Sequence, residues 1–119
     1  MIAGLVCLAV TAALFAWFDL AVSLGAHPFW GTSVVLWGAV LGAVMHVGLR
    51  RQSASTTAGL ASALTVTGYA LAYLGKLRFA ASYAEDQIAG RFWYFGWIIA
   101  CLGALLLAAS IGTRMWHRR

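Results

Sequence analysis

The sequence predicts an all-α, polytopic membrane protein: one compact bundle of four transmembrane helices spanning residues 1–119, with both termini in the cytoplasm. Three observations carry this expectation. First, residues 92–113 read FWYFGWIIACLGALLLAASIGT, with no Asp, Glu, Lys, Arg or His. In hydrocarbon a helix satisfies its backbone hydrogen bonds internally, and about 20 apolar residues cover the ~30 Å core. Second, 63% of the residues are hydrophobic and only 9% are charged, whereas a soluble domain carries roughly 25% charged residues. Third, four spans of about 20 residues each fit into the 119 positions and leave only short connections, so no separate soluble domain is expected.

The first span is expected over residues 1–24. No Lys or Arg precedes its apolar run, and the run is too long for a signal-peptide core, so it reads as an uncleaved helix. Asp19 is its one charge. It follows Trp17 and Phe18, which places it near an interface and not at mid-depth. Gly25-Ala26-His27-Pro28 is a tight connection, because Gly closes a helix and Pro keeps its predecessor out of the α region.

The second span covers residues 30–49. It holds Gly38 and Gly42 one turn apart, with Ala39 and Ala43 beside them. Small residues at this spacing let a neighbouring backbone approach closely, which marks a helix-packing face. The third span, residues 57–75, is rich in Gly, Ala, Ser and Thr, the composition of a helix packed against protein. Residues 76–91 form the longest connection. Phe79, Tyr83 and Ile88 are expected on one side of a short interfacial helix there. The fourth span, 92–113, is bracketed by Arg91 and Arg114 and crowded with aromatic residues at its first end, where an interfacial belt belongs.

Threading follows the distribution of basic residues. Arg50, Arg51, Arg114, Arg118 and Arg119 fall on one side of the four-span layout. Lys76, Arg78 and Arg91 fall on the other, offset by Glu85 and Asp86. The side richer in Lys and Arg is cytoplasmic. These positions also exclude nucleic acid as a partner: the net charge of +5 resides at span ends, where it meets anionic headgroups. Cys7 and Cys101 lie about 9 Å and about 19 Å from the inner ends of their helices at 1.5 Å per residue. A disulfide needs Cα atoms within about 7 Å, so two free thiols are expected.

Few residues invite chemistry. Asp19 reads as a proton or cation site, or as an interfacial carboxylate paired with Lys76 or Arg78. His46, one turn inside the second span, has the form of a haem ligand. A six-coordinate haem needs a second axial ligand at matching depth, and His27 lies at the opposite face while His117 lies past the span. Lys76, Arg78 and Arg91, with Glu85 and Asp86, are candidates for contact with a lipid phosphate or a partner's loop. No GxSxG, HExxH or Walker loop occurs. Glu85 and Asp86 are adjacent and point about 100° apart on a helix, so no catalytic site is expected.

Four spans in about 120 residues, with arginines after the second and fourth, resemble the GtrA-like family of polyprenyl-phosphate-sugar flippase candidates, although Leu49-Arg50-Arg51-Gln52 stands where that family has Asn-Arg-x-aromatic. Trp30-Gly31-Thr32 and the arginines closing the second span resemble the small four-helix subunit of actinobacterial cytochrome oxidase. Neither likeness includes a specific motif, and no family is assigned. The functional expectation is a small, non-catalytic accessory subunit of a larger complex, respiratory or photosynthetic in kind, in a bacterial inner membrane. It has no cofactor of its own, and a haem or pigment shared with a partner stays open. The alternative is a homo-oligomeric transporter or flippase, for which Thr65, Thr67 and Tyr69 are the only polar groups near the midplane.

Overall fold

The computed structural model describes residues 2–117. Met1, Arg118 and Arg119 lie outside the described residues, and with them two of the three tail arginines counted in the threading. The described chain is helical, without strands: α1 (Ile2–Trp17), α2 (Leu20–Ser23), α3 (Gly31–Gly48), α4 (Ala54–Ala81) and α5 (Gln87–His117). Three of these, α3, α4 and α5, are long and apolar enough to cross a membrane, and α1 is an apolar helix of 16 residues.

The first apolar run is not one continuous helix, contrary to the expectation for residues 1–24. α1 stops at Trp17, and Asp19 takes the left-handed conformation, φ 49° and ψ 45°. The Asp19 amide closes the helix through a tightened bond to Ala16 O at 3.3 Å. Asp and Asn are among the few non-glycine residues that visit this region at modest cost. The single turn α2 then ends at Gly25, φ 122°. Gly25 N–H donates to Val22 O at 3.1 Å and Ala26 N–H to Ala21 O at 2.8 Å, the paired bonds of a Schellman ending.

α4 and α5 are longer than the expected spans. Ser53 caps α4, its hydroxyl accepting from Thr56 N–H at 3.1 Å, so the helix starts before Thr57. At the other end it runs through Lys76 and Arg78 to Ala81. Asp86 Oδ1 accepts from Ala89 N–H at 3.0 Å, which starts α5 before Phe92. The expected interfacial helix over residues 76–91 is therefore absent, since two long helices take up most of that segment and leave residues 82–86 as the turn. Phe79 packs on the Trp93 ring at 5.7 Å, whereas Tyr83 and Ile88 are exposed.

α5 is the hub: α1, α3 and α4 all pack against it. α4 runs antiparallel to it along a seam of small residues. Gly103 meets Thr65, Gly68 meets Ala100, Gly96 meets Ala72, and Gly75 meets Trp93, each at the backbone nitrogen of its partner. A methyl group at Gly68 would sit 2.8 Å from the Gly96 carbonyl oxygen, and one at Gly75 would sit 2.7 Å from that of Ala89. On α4 the seam residues Ala61, Thr65, Gly68, Ala72 and Gly75 alternate in steps of four and three, the heptad spacing of a left-handed pair. Along α4 only Thr57 and the stripe residues Ala61, Gly68, Ala72 and Gly75 are buried. Val66, Tyr73, Leu74 and Leu77 on the rest of α4 are exposed, so the third helix packs against protein on one side only.

α3 lies parallel to α5. A Cβ at Gly38 would fall 2.6 Å from that of Cys101, and one at Gly42 would fall 3.4 Å from both Leu102 O and Leu8 Cδ1. The Gly38/Gly42 face is thus occupied within the chain, by α5 and α1. α1 runs antiparallel to both, with Gly4 against His46 and Thr113 and Cys7 against Gly112. Cys7 and Cys101 are free.

Candidate functional site

The alternating directions bring the start of α1, the end of α3, the start of α4 and the end of α5 to one end of the molecule. A pocket of about 530 Å³ opens there, lined by His46, Arg50, Arg51, Thr57, Ser110 and His117 among others. Local sequence builds it. α3 winds down through Leu49, whose N–H bonds Met45 O at 2.8 Å, and releases Arg50 and Arg51 at its mouth. The Ser53 cap then starts α4 at once, which aims the first turn of α4, with Thr57, at the same space. Ser110 on α5 donates to Ala54 O at 3.1 Å and ties the two helices together.

Burial singles this end out. His46, Thr57 and Ser110 are the buried polar side chains among the described residues, and all three line this one pocket. The His46 ring is admitted because Gly4 faces it: a Cβ on Gly4 would collide with the imidazole and with Thr113 Oγ1. Sequence reasoning placed His117 past the span and apart from His46, and the fold returns it to the same pocket. The missed signal was Ser53-Ala-Ser-Thr, a helix-start pattern that fixes where α4 begins.

The opposite end is aromatic. Trp93 contacts His27 at 5.6 Å, Trp30 at 5.1 Å and Phe79 at 5.7 Å between ring centres. Its indole N–H donates to Gly25 O at 3.1 Å. Ser33 and Tyr94 share a hydrogen bond of 3.1 Å between α3 and α5. These contacts fix the α1–α3 connection on the shoulder of the α4–α5 hairpin. Asp19, Lys76, Arg78 and Arg91 are all exposed at this end, on three different elements. Lys76 reaches towards Gly25. Arg78 shares a groove with Asp86, Leu74 and Phe92.

Between α2 and α4, a groove of about 460 Å³ is lined by Phe15, Thr65, Tyr69, Trp97 and Cys101. Its hydroxyls are engaged by backbone: Thr65 Oγ1 donates to Ala61 O at 2.8 Å, and Tyr69 OH donates to Leu24 O at 3.4 Å. What remains exposed in it is hydrocarbon, suited to an acyl chain or an apolar side chain and not to an ion. No family model, curated protein or solved structure matches this chain.

Proposed function

We propose that the chain is an integral protein of a bacterial inner membrane that crosses the bilayer four times, with both termini in the cytoplasm. In this reading it is a non-catalytic accessory subunit of a larger membrane complex, respiratory or photosynthetic in kind. The observation that supports it is where the apolar surface lies. The inner seams are closed by backbone-to-backbone contact at Gly38, Gly68, Gly75 and Gly96, while Val10, Leu14, Leu36, Val40, Val44 and Val66 face outward. Such a body offers neighbouring helices and lipid a continuous apolar face.

The fourth crossing uses α1, whose 16 residues cover about 24 Å at 1.5 Å each. A bilayer accommodates a shortfall of that size at modest cost. Arg50, Arg51 and Arg114 then mark the cytoplasmic side. A transport path is the competing function. The hydroxyls of Thr65 and Tyr69, its best polar candidates, are held by the carbonyls of Ala61 and Leu24, which counts against it. The chain holds no cofactor of its own in this reading, and a haem or pigment would be shared with a partner. Extraction in mild detergent followed by native mass analysis tests the proposal. A stoichiometric hetero-complex is expected, and a homo-oligomer without companions overturns the subunit reading.

A further inference from the structure

We infer that the pocket at the arginine end binds the phosphate of an anionic lipid headgroup. The inference rests on the membrane placement proposed above but not on the accessory role. Three independent features converge on that pocket. Its charged lining residues, Arg50 and Arg51, are both cations, and no carboxylate lines it. The buried polar side chains among the described residues, His46, Thr57 and Ser110, all line it, and the Thr57 hydroxyl is a group able to donate to phosphate oxygen. The start of the 28-residue helix α4 forms one wall, so the positive end of its dipole adds to the arginines.

Size and depth agree with this chemistry. A volume of about 530 Å³ lies within the roughly 300–1,000 Å³ of small-ligand sites. The arginines follow directly on the apolar helix α3, at the level where headgroup phosphates lie. The cations of the other end do not form an equivalent site, because the groove at Arg78 is shared with the Asp86 carboxylate, which repels an anion.

The test uses the full chain in neutral detergent, titrated with phosphatidylglycerol, phosphatidylcholine or inorganic phosphate, with the thermal midpoint and lipid retention in native mass spectra as readouts. Phosphatidylglycerol is expected to raise the midpoint and to stay bound, and phosphatidylcholine is not. Each basic group near a headgroup is worth about fivefold in affinity, so Arg50→Gln with Arg51→Gln should weaken phosphatidylglycerol binding roughly 30-fold. Both arginines are exposed, so that variant keeps its fold. Thr57→Val should weaken binding as well, and Lys76→Gln with Arg78→Gln at the far end should not. Competition by inorganic phosphate at equal strength keeps the phosphate site and assigns it a soluble source. Failure to compete assigns it the lipid. Equal shifts by the two lipids, full affinity in the double arginine variant, or an equal loss in the far-end variant overturns the site, and none of these changes the outcome of the subunit test.

Discussion

Asp19 shows how backbone geometry outweighs charge at a single position. The residue is exposed, and its left-handed φ and ψ end α1 and turn the chain into α2. That conformation costs most L-residues roughly 1–2 kcal/mol but costs Gly and Asn much less. Asp19→Asn and Asp19→Gly are therefore expected to leave thermal stability close to that of the parent, and Asp19→Val to lower it by about 1–2 kcal/mol. If instead Asn destabilises as much as Val, the carboxylate charge is what matters. This feature was illegible in the sequence, because one Asp behind two aromatic residues reads as an interfacial marker inside an unbroken apolar run. Gly25 was legible, because Gly ahead of a Pro is a helix ending whatever surrounds it. The pocket histidine was only half legible. His46 was visible as a polar residue inside a span, but its neighbours come from α4 and α5, far along the chain.

At the level of helices, the α4–α5 seam governs stability. Gly68 is pressed between the backbone of Gly96 and Ile99, whereas Gly59 has nothing within 4 Å of where a Cβ would lie. The same substitution should therefore act with opposite sign. Gly68→Ala is expected to cost roughly 1–3 kcal/mol by forcing two helices apart. Gly59→Ala should gain about 0.5–1 kcal/mol from reduced chain entropy. Unfolding of both variants in a denaturing detergent series checks the contrast. Composition alone identified α4 as a packed helix but did not say which of its faces is covered. The matched four-and-three spacing on both α4 and α5 was present in the sequence and names the partner. Helix ends were the least legible feature, since Ser53 and Asp86 set them by capping and the loss of hydropathy past Thr57 and Gly75 does not.

Across the whole molecule, the antiparallel succession sorts the chemistry by end: buried polar groups and arginines at one, aromatic rings and mixed charges at the other. That separation was legible, because arginines after the second and last apolar runs must meet if consecutive helices alternate in direction. Which helix stands at the centre was not, since α1 is at least as apolar as α5 and hydropathy does not say which helix the others touch. That centrality has a consequence for biosynthesis. With the four crossings proposed above, a ribosome releases α1, α3 and α4 into the bilayer before the helix that all three clasp. Until then α1 and α3 hold only each other, α4 holds neither, and the glycine stripe of α4 faces lipid. A chain stopped after residue 86 should insert, fail to mature and be cleared by membrane proteases, and pulse–chase labelling would show a half-life well below that of the full chain. Supplying residues 87–117 as a separate polypeptide should lengthen it.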